Sequence, residues 1–105
     1  MDFYIIFAGI IEQNFGNRLL NAINAATERK VRKIILFFSS LGGNVQEGFT
    51  LATVIRNCKT PILIHANNID SIANVIYLSA KERTAESYAK FFMHGAIAQG
   101  VFNEK

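Results

Sequence analysis

Apolar positions along this chain follow two rhythms. Phe3 to Ala8, Lys33 to Phe38 and Ile62 to Ala66 are short, nearly continuous apolar runs, and they read as strands buried on both faces. Between them the pattern becomes helical. Phe15, Leu19, Ala22, Ile23 and Ala26 recur at steps of three and four, with Asn14 placed to cap that helix. Phe49, Ala52, Val54 and Ile55 give a second amphipathic segment from Val45 to about Asn57. Thr60-Pro61 stops it, because the residue before proline disfavours the helical region.

The second half of the chain reads in the same way. Asn67-Asn68-Ile69-Asp70 is predicted as a loop of cap-type residues. From Ser71 a helix follows through Ile72, Val75, Ile76 and Leu78. Lys81 to Ser87 is predicted as a polar connection and Tyr88 to Met93 as a weaker strand; the tail from Gly95 has no clear period. The order is β-α-β-α-β-α-β in a single α/β domain over residues 1–105, with a mostly parallel sheet and right-handed crossover helices. Such sheets bind ligands at the carboxyl ends of their strands. Gly42-Gly43, Ser71 and His94 each follow a predicted strand, so all three belong on one edge of the sheet.

Composition narrows the classes. Half of the 105 residues are hydrophobic, and no apolar run is long enough to span a membrane. Met1-Asp2-Phe3-Tyr4 does not begin a basic leader with a long apolar stretch. The single cysteine, Cys58, permits no intrachain disulfide and fits a reducing compartment, which points to the cytoplasm. Net charge is +3, and Arg29, Lys30, Arg32 and Lys33 sit together. That run reads as a solvated turn after a helix, where cations are favourable, and no aromatic residues interleave with it as nucleic-acid binding would want. Two histidines far apart and one cysteine give no metal-ligand spacing, and no cofactor is expected. Gly42-Gly43 lacks the pattern of a phosphate-binding loop or a dinucleotide fingerprint.

Each chemically interesting residue has two readings. Ser71 at a strand-to-helix turn is either a nucleophile or a helix cap, and position alone favours the cap. His94 after Phe91-Phe92-Met93 is either a general base or a hydrogen-bonded histidine at a strand edge. His65, inside a strand, reads as packed, and Cys58 reads as structural.

Taken together these stretches are similar to the Clp protease proteolytic subunit family (ClpP/crotonase-like fold). That family has Asn-Ser-Pro-Gly-Gly-Ser-Val between a strand and a helix, where this chain has Ser39-Ser40-Leu41-Gly42-Gly43-Asn44-Val45. It then has Ala-Ala-Ser-Met-Gly-Ala, matched by Ile69-Asp70-Ser71-Ile72-Ala73-Asn74, and Met-Ile-His-Gln-Pro, matched by Phe92-Met93-His94-Gly95-Ala96. Three motifs fall in register along nearly the whole chain. Leu41 stands in place of the proline, and Asp70 and Ile72 are new neighbours for the serine.

The resemblance implies a serine peptidase with Ser71 as nucleophile and His94 as base. It implies an oxyanion hole from the Gly43 and Ile72 N–H groups, and peptide held along the strand edges at Gly42 and Gly43. The acid of such a triad lies well beyond the histidine in the family, so it is expected past Lys105. A homo- or hetero-oligomeric ring, unfolded protein substrates and an ATPase unfoldase partner follow by the same analogy, with no nucleic acid and no membrane. Two alternatives stand beside it. One is a non-catalytic ring subunit, motivated by the altered neighbours of Ser71. The other is a crotonase-type acyl-CoA enzyme, for which Glu47 is the one glutamate near the corner.

Overall fold

Strand and helix alternate as the pattern predicts. The computed structural model describes residues 1–93. Within them lie β1 (Asp2–Ala8), α1 (Gln13–Glu28), β2 (Lys33–Ser40), α2 (Val45–Asn57), β3 (Ile62–Asp70), α3 (Ala73–Ser79) and β4 (Glu82–Phe92). The strands form one parallel sheet in the order β1-β2-β3-β4. His94 and the tail beyond it lie outside the described residues.

Strand order following chain order has a consequence for the layers. Crossovers of one hand that all step the same way put their helices on the same face of the sheet. α1 accordingly packs on β1 and α2, and α2 packs on α3. The core lies between this helical layer and the sheet. Ile34, Leu36 and Phe38 of β2 and Ile62, Ile64 and Ala66 of β3 meet Leu19, Ile23, Leu51, Ile55 and Ile76 from the helices.

The expectation that the strands are buried on both faces is therefore corrected. Tyr4 and Ile6 of β1 are 62% and 78% exposed, and Phe37 of β2 is exposed too. A row of side chains crosses this open face. Tyr4 stacks on Phe37 with ring centroids 6.2 Å apart, and Phe37 meets the edge of His65 at 5.8 Å. His65 reaches β4 through Thr84 Oγ1 at 2.6 Å and Glu86 Oε2 at 2.8 Å. The packed reading of His65 thus acquires a purpose, since it fastens the edge strand.

Several boundaries differ from the predicted ones. α1 is capped by Glu12, whose carboxylate accepts from the Asn14 N–H, so Asn14 is already inside the helix. Asn67–Asp70 is strand and not loop. Ladder partners on both sides outweigh the turn preference of asparagine: Ser40 pairs with Ile69, and Lys90, Phe91 and Phe92 pair with Asn68, Ile69 and Asp70. The Lys81–Ser87 connection is mostly β4, which starts at Glu82. Its polar residues fit an edge strand, where water can meet them.

A bulge accompanies the extended β3. Phe38 pairs with Ala66 but Ser40 pairs with Ile69, so β3 carries one more residue than β2 here. Burial follows suit: Ile62, Ile64 and Ala66 are buried, then the phase shifts and Ile69 is buried.

The basic run is a turn. Lys30 adopts φ 56°, the Lys30 N–H donates to Thr27 O and the Val31 N–H to Ala26 O, which ends α1 in a Schellman pattern. Arg32 pairs with Asp2 at 3.0 Å and Lys33 with Glu82 at 3.2 Å.

The strand assignment of Asn67–Asp70 is directly testable. Ile69 is fully buried, so Ile69→Ala is expected to destabilise the fold by about 2–5 kcal/mol in denaturant unfolding. A loss below about 0.5 kcal/mol, the usual figure for a surface position, would return the segment to a loop.

Candidate active site

The carboxyl ends of β2 and β3 lie side by side, and the residues that follow them meet. The turn after β2 is built by a side chain, because buried Ser40 accepts the Gly42 N–H on its Oγ at 3.1 Å. The loop after β1 completes it. The Ile11 N–H donates to Gly42 O and the Asn44 N–H to Ile11 O, each at 2.8 Å, forming a bridge between Ile11 and Gly43. Asn44 then caps α2 through a 2.8 Å bond from the Glu47 N–H.

Both glycines are required by this geometry. Gly42 has φ 102° and Gly43 φ 147°, a region that side chains rarely allow. A Cβ on Gly42 would fall 2.6 Å from Ser71 Cβ and 3.1 Å from Ser71 Oγ. A Cβ on Gly43 would fall 2.3 Å from Ile11 O. The missing side chain of Gly42 is thus the space that Ser71 occupies.

Ser71 follows β3 directly and holds φ 61°. It is one of two non-glycine residues with positive φ among the described residues, the other being the helix-ending Lys30. Left-handed backbone at a serine costs about 1–3 kcal/mol and needs surroundings that enforce it. The conformation turns the chain sharply from strand to helix, and the Ser71 N–H donates to Phe92 O of β4 at 3.1 Å. The predicted helix start at Ser71 therefore shifts to Ala73, with Ile72 at the N-cap and without a side-chain cap bond. The plain capping role for Ser71 is not what the hydroxyl does, since Ser71 Oγ bonds to no described residue.

The corner also has unused donors. Among the described residues, neither the Gly43 N–H nor the Ile72 N–H has a hydrogen-bond acceptor. The Ile72 side chain anchors its turn by packing over Gly48 of α2, where a Cβ would come 2.3 Å from Ile72 Cγ1. Gly42 differs from Gly43: its N–H and its carbonyl are both spent inside the chain. Glu47, the residue an acyl-CoA chemistry would look to, lies with its carboxylate over Gly16 of α1.

The structure thus brings Gly42, Gly43, Ser71 and Ile72 together at the sheet edge. β4 also ends there, at Phe92, two residues before His94. Two contributors escape a reading of the pattern: Ser40, and Asn74, whose side-chain amide donates to Ser71 O and Phe92 O. Serine after a strand and asparagine in a helical first turn are too common to single out. Among the described residues no group of His, Cys, Asp or Glu is clustered for a metal ion, and no helix is long and apolar enough to cross a membrane.

Known structures share this architecture. The 1510-N membrane protease from Pyrococcus horikoshii, specific for a stomatin homolog, superposes with a TM-score of 0.80 at 16% identity, over 88% of this chain and 48% of that one. The ClpP protease catalytic domain from Plasmodium falciparum gives 0.81 at 19% identity, over 96% and 58%. ClpP1 from Listeria monocytogenes gives 0.79 at 20% identity, over 96% and 64%. The chain thus spans about half to under two thirds of the length of these proteins. No curated protein matches it in sequence. The family model for Clp protease matches residues 1–103, nearly the entire chain, and the chain belongs to the Clp protease family.

Proposed function

We propose that this domain carries the nucleophile of a serine peptidase and hydrolyses peptide bonds through an acyl-enzyme on Ser71. One observation carries the reading: Ser71 sits at φ 61° against a glycine whose Cβ would occupy its place, with a hydroxyl that bonds to no described residue. A strained strand-to-helix turn is how an α/β fold presents a serine hydroxyl for attack. In the proposed reaction His94 takes the Ser71 proton as the hydroxyl attacks the carbonyl carbon. The oxyanion then accepts from the Gly43 and Ile72 N–H groups. His94 next returns the proton to the leaving amine, and water repeats the cycle to free the acid.

The remaining features of the reading rest on the family. Substrates are unfolded proteins or peptides laid beside Gly43 as an added strand. Assembly is an oligomeric ring, served by an ATPase unfoldase, in the cytoplasm. The exposed Tyr4, Ile6, Phe37 and Tyr88 support assembly, since apolar residues gathered on one sheet face favour a covering partner.

An alkyl fluorophosphonate tests the nucleophile on the full-length protein. Ser71 is expected to be labelled and Ser71→Ala to abolish labelling, with the modified residue located by peptide mass spectrometry. His94→Ala should slow labelling by about 100- to 10,000-fold, the usual contribution of a general base. Unlabelled Ser71 in a folded, assembled protein would leave the non-catalytic subunit as the better account.

The glycine contact has its own test. Gly42→Ala places a methyl against Ser71 at a positive φ and is expected to cost about 2–4 kcal/mol in thermal or denaturant unfolding, together with the labelling. Gly9→Ala is the control, because its Cβ would meet Phe15 at 3.6 Å, an ordinary contact. Equal behaviour of the two variants would refute the close approach of Gly42 to Ser71.

A further inference from the structure

The serine is held by a side chain that comes from the next turn of the chain. Asn74 donates its side-chain amide to two backbone carbonyls, Ser71 O at 3.1 Å and Phe92 O. Its backbone N–H donates to Ser71 O at 3.0 Å, and the Ser71 N–H donates to Phe92 O at 3.1 Å. Four hydrogen bonds thus join three residues from the end of β3, the start of α3 and the end of β4. Both groups facing the amide are carbonyls, which only accept. The side chain must therefore present its NH2, and its orientation is dictated by chemistry.

A serine at positive φ would relax toward an ordinary conformation by swinging its peptide planes. The bonds at Ser71 N and Ser71 O hold the planes on both sides of its Cα. Gly42 leaves room for the side chain without gripping it, so the clamp is what keeps the conformation.

We propose that Asn74 is a positioning residue of the site, one that locks the Ser71 backbone in its left-handed conformation and ties it to the end of β4. This rests on the reading of Ser71 as nucleophile. Asn74 touches no reacting atom. Its effect is to fix where Ser71 Oγ points relative to the neighbouring N–H donors and to the segment that leads to His94.

Asparagine to aspartate keeps the shape and exchanges donors for acceptors. Fluorophosphonate labelling rates of Ser71 are measured on full-length protein, unsubstituted and carrying N74D or N74A, across a pH series, with thermal unfolding of each in parallel. At neutral pH, N74D is expected to label about 10- to 100-fold more slowly per folded molecule, the scale of loss from displacing a reacting group by about 1 Å. The ratio of the N74D rate to the unsubstituted rate should rise toward acid pH, where the introduced carboxyl takes up a proton and regains one donor. The corresponding ratio for N74A should be low and flat with pH. Equal rates for folded N74D and unsubstituted protein would overturn the proposal. So would a loss that merely follows the unfolded fraction, or an N74D ratio independent of pH. N74S, which retains one hydroxyl donor, replaces N74D in the rate comparison if the latter does not fold. Absence of labelling in the unsubstituted protein sinks the nucleophile reading and this proposal together, whereas normal labelling with equal variant rates sinks the proposal alone.

Discussion

The contact between Gly42 and Ser71 is the constraint on which the site depends. Two turns after neighbouring parallel strands come so close that one must give up its side chain. The second turn needs the space that a side chain on Gly42 would fill. Ser40 and Ile11 shape the first, by accepting the Gly42 N–H and by bridging Gly43. Asn74 and Phe92 hold the second. The strain at Ser71 is held by hydrogen bonds to the end of β4 and from the start of α3, which is how a small domain keeps a costly backbone conformation.

The layer arrangement serves the same corner from a distance. Because strand order follows chain order, all helices share one face. α2 and α3 are then neighbours, and Ile72 can drop its side chain onto Gly48. The core therefore pins the residue immediately after the serine, while its N–H meets no acceptor among the described residues. The opposite face keeps its aromatic row and the His65 link to β4. Those contacts hold the edge strand whose Phe92 carbonyl accepts the Ser71 N–H.

Much of this was legible in the chain itself. Continuous apolar runs located β1, β2 and the first half of β3, and three- and four-residue steps located α1 and α2. The double glycine marked the corner, and motif order carried the resemblance that the family model bears out. What escaped did so for physical reasons. Asn67–Asp70 and Glu82–Ser87 are strands by virtue of their neighbours, since their own residues prefer turns or water. The open face was misread because an apolar run cannot tell two buried faces from one. Asn74 was invisible because its partner Phe92 is distant in sequence, and the family motif offers only an alanine there. The left-handed conformation of Ser71 likewise arises from tertiary bonds and leaves no mark in local propensity.

The bulge in β3 carries a consequence for how such a site can change over time. A strand turns successive side chains to alternate faces, so a position's role depends on whether it is an odd or even number of steps from the core. The additional residue at Asn67-Asn68 resets that count just before Ile69 enters the core and Ser71 leaves the sheet. Parity is what the length of this stretch contributes. A single-residue insertion or deletion would turn the hydrophobic anchor outward and carry the serine with it, so the length of this segment is under tighter constraint than its composition.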